Sequence, residues 1–379
     1  MSRTATTLLA VLISCLLLLS LLPIGQLAVT TTTGTAQASY PNTGSTSSTT
    51  AEEQEPSTEE AFQRTRGPVA WTVDPYLLDN LTSPNYPWPE VRFIIVCEDE
   101  SSKAYVRAHL PACVRIITYF RHLPFITAAV PKGTDPAVIY KIASMPGVKG
   151  VVADRLLKLQ SMVPHDFLKN FAADEGKGPV AQQLPWPPKP SYFGNYPWFL
   201  NETAELIGAT EMWEMGYTGE GVVVAVIDSG IWKEHPTLEG KVIAEASFVC
   251  GIDWIPPEDP NDYLGHGTFC ASIIAGTGAP GGKVWDAYYS GKIIGWVAPG
   301  TNKGMAPGAK LLNAKIFNRW GLAFWDWALK AIEWSVEHGA DILSCSWGGS
   351  QLPPEIDPMR IAINWALEHG VVVVCAAGN

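Results

Sequence analysis

The chain has 379 residues, of which 47% are hydrophobic and 17% charged, and a formal net charge of −11. That length and composition support a sizeable core and about two domains with extra segments. The acidic balance, with no Lys/Arg-rich block, excludes nucleic acid as an expected partner.

Residues 1–38 read as a signal peptide. Arg3 precedes an apolar run from Leu8 to Leu22, and Ala36-Gln37-Ala38 fits a small-x-small cleavage site. The alternative is an uncleaved anchor, but a run of about 15 residues is short for a membrane span. The expectation is a secreted, extracellular protein with no stable membrane span once the signal is removed. Residues 39–89 turn to Thr, Ser, Gly and Glu and predict a flexible spacer.

Residues 90–160 carry a second pattern. Val91 to Cys97 reads as a strand, and Ser101-Ser102 as the cap of a helix reaching Leu110. Cys113 to Tyr119 and Phe125 to Val130 are strand-like. Thr134 or Asp135 opens a helix that Pro146-Gly147 ends, and Val148 to Asp154 is a last strand. The order β-α-β-β-α-β predicts a small α+β domain of ferredoxin-like type. Residues 161–200, rich in proline, predict an exposed linker open to cleavage.

Over 201–379 apolar strands alternate with helices, which predicts an α/β domain with a doubly wound parallel sheet. Ligands of such sheets bind at the carboxyl ends of the strands. The cysteines after the signal (Cys97, Cys113, Cys250, Cys270, Cys345 and Cys375) show no C-x-x-C spacing. Most read as buried small hydrophobes, and the spacing leaves their disulfide state open.

Three motifs sit where α/β sites form. Val226-Ile227-Asp228-Ser229-Gly230 ends a strand in an aspartate that could orient a histidine, though strand-end aspartates also bind metal or are structural. Gly265-His266-Gly267-Thr268 puts a histidine at a helix start, where the helix dipole would keep it neutral and suited to general-base work. Alone, such a histidine is more often structural. Ser346-Trp347-Gly348-Gly349 could pair with an extended peptide, and Ala376-Ala377-Gly378-Asn379 ends in an amide able to donate to an oxyanion. Each could equally be a turn after a buried strand.

Together and in this order, with Gly304-Met305-Ala306-Pro307-Gly308-Ala309-Lys310 between them, these motifs resemble the subtilisin-like serine proteases over about Glu205 to Asn379. The resemblance implies an Asp–His–Ser endopeptidase acting on polypeptide substrates. In it Asp228 holds the imidazole, His266 is the general base, Asn379 donates to the oxyanion, and Ser346, Trp347 and Gly348 bind substrate. Cys270 would be a buried thiol behind His266, and His235 would be structural. The family's Gly-Thr-Ser-x-Ala nucleophile segment does not occur in the chain, and Ser229, Ser272 and Ser346 occupy positions with other roles. The resemblance therefore implies a precursor that stops before its serine; the alternative is a non-catalytic peptide-binding pseudoprotease or an inactive fragment.

The β-α-β-β-α-β unit resembles the inhibitor-type propeptide of these proteases, ending in Ile142-x-x-Met145-Pro146-Gly147-Val148-x-x-Val151-x-x-Asp154. That implies an intramolecular inhibitor. No cofactor is required. Asp253, Glu258, Asp259 and Asp262 could supply oxygen ligands to calcium, although an acidic loop is more often simply solvated. Trp347 and Trp320 are expected to present apolar walls to a substrate.

Overall fold

The computed structural model describes residues 72–159, 200–250, 255–279, 282–286, 292–297, 300 and 303–377. The signal segment, residues 39–71 of the spacer, residues 161–199 of the linker and Asn379 lie outside them.

The spacer expected over 39–89 ends earlier than its composition suggests. Residues Pro75–Thr82 form helix α1, capped by Asp74, whose carboxylate accepts from the Tyr76 N–H. A short helix of this kind gains most of its stability from packing. Here Leu77 and Leu81 are buried in the same core as the sheet that follows.

That sheet has the predicted chain order. Strand β1 (Glu90–Cys97), helix α2 (Glu100–His109), strands β2 (Arg115–Tyr119) and β3 (Phe125–Pro131), helix α3 (Ala137–Ala143) and strand β4 (Val148–Ala153) follow in turn. The sheet order is β2-β3-β1-β4, antiparallel throughout. The expected Ser101-Ser102 cap gives way to Asp99, which accepts from Ser102 N–H and both serine hydroxyls.

Strand β1 is buried along nearly its whole length, on both faces. Phe93, Ile95 and Cys97 pack with α1, α2 and α3, while Ile94 and Val96 face a second core. An antiparallel sheet usually leaves one face to water. This one lays its second face on the helices of the α/β region, and the fit is close. A Cβ on Gly150 would stand 2.6 Å from Ile356 Cγ2.

The α/β region begins with helices α4 (Leu200–Leu206) and α5 (Ala209–Glu214), separated at Gly208. Strands β6 (Val223–Asp228), β7 (Val242–Ser247), β10 (Lys310–Lys315), β12 (Ile342–Cys345) and β14 (Val372–Cys375) form a parallel sheet in the order β14-β12-β6-β10-β7. Helix α6 (His266–Ala275) covers one face; α7 (Trp325–Glu337) and α8 (Pro358–Glu368) cover the other. The fold is the expected doubly wound α/β arrangement. Central strand β6 lies where the chain turns from one side of the sheet to the other, so its carboxyl end opens on the crevice that such sheets use. Between α6 and β10, strands β8 (Gly282–Asp286) and β9 (Lys292–Val297) make an antiparallel hairpin.

A third small sheet joins the two regions. Strand β5 (Leu156–Leu159), directly after the ferredoxin-like unit, lies between β11 (Ala323–Phe324) and β13 (Trp347–Gly348), antiparallel to both.

Candidate active site

Asp228 ends β6 and is 1% exposed. Its carboxylate meets His266 Nδ1 at 2.8 and 3.0 Å and accepts from the Ser229 N–H at 2.6 Å. Glycine makes this approach possible. Gly267, on the first turn of α6, lies so close to the end of β6 that a Cβ would stand 2.1 Å from Gly230 O and 3.2 Å from Asp228 Cβ. Gly230 itself has φ 106°, a region that L side chains avoid.

The loop before His266 is braced by Asp262. One oxygen accepts from Ser229 Oγ and from the N–H groups of Leu264 and Gly265, at 2.8–2.9 Å. The other accepts from Thr268 N–H at 2.9 Å and from Thr268 Oγ1 at 2.6 Å. Ser229 Oγ in turn accepts from Gly267 N–H. Asp262 thus ties the aspartate-bearing strand end to the histidine-bearing helix start. Its place four residues before His266 was the available sequence signal, and that signal was spent on calcium.

Burial opposes a charged His266 ring, but the Asp228 carboxylate against Nδ1 more than offsets it, and the pKa is raised. The expected lowering by the helix dipole is overridden, because a full charge at contact distance outweighs a terminal partial charge. Behind the ring, Cys270 Sγ lies 3.9 Å from Nδ1 and 3.5 Å from Ser346 Oγ. Burial pushes this thiol up. It stands on the Nδ1 side already used by Asp228, so it is the packing thiol expected there and not a nucleophile. Donor atoms of Asp228, His266 and Cys270 all lie within 4.8 Å of one another, a set able to hold a metal ion.

The acidic residues considered for calcium have protein partners. Glu258 accepts from the N–H and Nε of Arg319 and pairs with buried Lys315 at 3.4 Å. Asp259 accepts from the Tyr263 hydroxyl and Asn261 N–H. Asp253 lies outside the described residues. His235 accepts from Thr237 N–H and meets the Trp232 ring edge-on.

The sequence model of the subtilase family (peptidase S8) matches residues 219–379. The major intracellular serine protease of Bacillus subtilis (strain 168) is 34% identical over 181 residues, covering 48% of this chain and 50% of that protein. The minor extracellular protease Vpr of the same strain is 34% identical over 182 residues, 48% of this chain and 20% of that one. Residues 219–379 are therefore similar to the subtilase family. The chain spans about half the length, or less, of the curated relatives it matches. Fervidolysin from Fervidobacterium pennivorans, a solved structure, superposes with a TM-score of 0.47 and 23% identity, over 76% of this chain and 40% of that one.

Of the expected substrate-binding residues, Ser346 lies against Cys270, behind the His266 ring, and Trp347 and Gly348 follow it in strand β13. Trp347 pairs with Leu159 and Gly348 with Lys158. Trp347 is buried, and its indole N–H donates to Ile227 O at 2.8 Å, so the ring is anchored to the strand that carries Asp228. Next to it is a cavity of about 420 Å³ whose walls include Leu157, Trp325, Trp347 and Gly349. Trp320, expected as a second wall, is exposed at the turn before β11. Trp325, the first residue of α7, lines the cavity beside Trp347. Asn379 lies outside the described residues.

The sequence also missed the polar contacts that hold the ferredoxin-like unit. Arg92 Nε donates to Asp154 at 2.7 Å, and Arg92 reaches Asp326 on α7 at 3.4 Å. Asp154 accepts from Asp326 N–H. Glu333, further along α7, accepts from the N–H groups of Arg121, His122 and Leu123.

Proposed function

We propose that the chain is part of a secreted serine endopeptidase precursor in which Asp228 and His266 are the acid–base members of an Asp–His–Ser triad. His266 would take the serine proton through Nε2, since Nδ1 is committed to Asp228, and would then give it to the leaving amine. Asp228 stabilises the imidazolium formed in that step, in keeping with the raised pKa of His266. Asn379 would donate to the tetrahedral oxyanion. Among the serines nearest the pair, Ser229 is bonded to Asp262 and Gly267, Ser272 to Thr268 O, and Ser346 sits against Cys270. None is placed as the nucleophile, so these 379 residues by themselves should take no active-site-directed fluorophosphonate label. A labelled chain would sink the assignment.

The ferredoxin-like unit is read as an inhibitory propeptide. The observation that carries this is β5, a four-residue stretch held as the middle strand between β11 and β13. A substrate peptide would use the same edges, so β5 blocks the cleft in the manner of a bound product. β5 ends at Leu159, paired with Trp347 next to Ser346, so maturation cleavage is expected at or just after Gln160. N-terminal sequencing of the mature, full-length protein tests this; a mature start before Val91 would overturn it. The relatives include intracellular and extracellular proteases, so the secretion reading rests on residues 1–38. No helix among the described residues is long and apolar enough to cross a membrane.

A further inference from the structure

Cys345 and Cys375 are the last residues of β12 and β14, neighbouring strands of the parallel sheet, and they occupy the same ladder position. Adjacent strands run about 4.8 Å apart, inside the Cα separation that a disulfide spans. Side chains at one ladder position leave the sheet on the same face, here the one covered by α7 and α8, where Cys345 is buried. Beyond the pair, Ala376 N–H donates to Cys345 O at 3.0 Å and fixes the register to the strand ends. Both cysteines are free thiols here, and no other two cysteines share a ladder position among the described residues.

We infer that Cys345 and Cys375 are a modification site, oxidised to a disulfide that ties the strand leading into Ser346-Trp347-Gly348 to the strand leading toward Asn379. The two thiols already interact. A hydrogen bond to Cys375, then burial, pushes the Cys345 thiol up, and the same hydrogen bond pulls Cys375 down. Cys375 is exposed and Cys345 buried, so Cys375 is the sulfur that an incoming disulfide reaches first. Cys375 attacks an incoming disulfide such as oxidised glutathione, forming a mixed disulfide and releasing one thiolate. Cys345 then gives up its proton and displaces the second glutathione. Two protein thiols become one disulfide, and one glutathione disulfide becomes two thiols. The closed loop of about 30 residues is long enough for the bond to restrict the unfolded chain appreciably. The bond itself stands apart from the peptidase reading. Its consequence, a fixed spacing between substrate edge and oxyanion donor, rests on that reading.

The test is a peptide map of the full-length protein, equilibrated in a glutathione redox buffer, alkylated natively, then denatured and digested with trypsin. Arg360 is the one Lys or Arg between the two cysteines, so they fall on separate peptides. The expected result is a linked pair, one peptide ending at Arg360 and the other starting at Ile361, two hydrogens lighter than their sum. Reductant should lower the thermal transition of the oxidised protein by roughly 5–10 °C. It should not move that of Cys345→Ala, in which Cys375 becomes alkylated or glutathionylated. Should Cys345→Ala fail to fold, Cys375→Ala reads the same loss. Recovery of both wild-type cysteines as alkylated thiols, or linked to any other cysteine, overturns the inference whatever the peptidase activity proves to be.

Discussion

Asp228 and Asp154 are built alike and do different work. Each stands at the end of a strand, each is nearly sealed from water, and each meets a cationic side chain from a distant part of the chain. Asp228 faces an imidazole that retains 18% side-chain exposure; Asp154 faces the Arg92 guanidinium, 7% exposed, with Asp326 completing the cluster. An imidazole can gain and lose its proton near neutral pH, whereas a guanidinium keeps its charge. The first pair can therefore move a proton, and the second can only hold two pieces of protein together. Burial alone does not mark an active site; the chemistry of the partner does.

The largest way to break this comparison is His266→Ala in the full-length protein. Turnover should fall by about 10,000-fold or more, the size of loss known for triad members of serine proteases, subtilisin among them. The variant should still unfold in one cooperative transition, so that the loss is of chemistry and not of fold. Peptidase activity near the parental value would remove His266 from the mechanism.

Asp154→Asn should act on stability instead. It leaves Arg92 buried with a weakened partner, which costs roughly 3–5 kcal/mol when a buried pair is broken. Urea unfolding should register the loss, while peptide turnover by enzyme already freed of residues 72–159 should be unchanged. An unaltered midpoint would show that the cluster is no clasp.

Glu333→Ala is a smaller cut at the same interface. It strands three backbone N–H groups at residues 121–123 and should cost about 1–3 kcal/mol. Precursor processing should also speed up, as followed by gel. Slower processing would argue that α7 assists maturation rather than restraining it.

The finest test is pH. The pKa of His266 is raised above its ordinary 6.5, so its pairing with Asp228 contributes stability that is fully present below about pH 6.5. That contribution is lost as pH rises through the folded value. The stability advantage of the parent over His266→Ala should therefore shrink with rising pH in urea titrations. An advantage that grew with pH would reverse the assigned direction.

The sequence by itself determined the element order of the ferredoxin-like unit, the alternation of strands and helices after it, though not β7 or the β8–β9 hairpin, the place of Asp228 and His266, and the edge at Ser346-Trp347-Gly348. These follow from local signals: apolar periodicity, glycines flanking strand and helix ends, and motif spacing. It did not reveal α1, because Leu77 and Leu81 make a helical face too short to announce itself without the sheet it packs on. The run from Val91 to Cys97 signalled a buried strand but not which partner covers its second face. Asp262, Asp326 and Glu333 looked like ordinary surface or acidic-loop carboxylates. Their roles depend on backbone N–H groups and side chains brought to them by residues up to about 200 positions away, and non-local pairing of that kind leaves no periodic trace in the chain. The lodging of β5 between β11 and β13 and the pairing of Cys345 with Cys375 were likewise decided only in the tertiary structure. Strand register is a relation between segments, and neither segment encodes it alone.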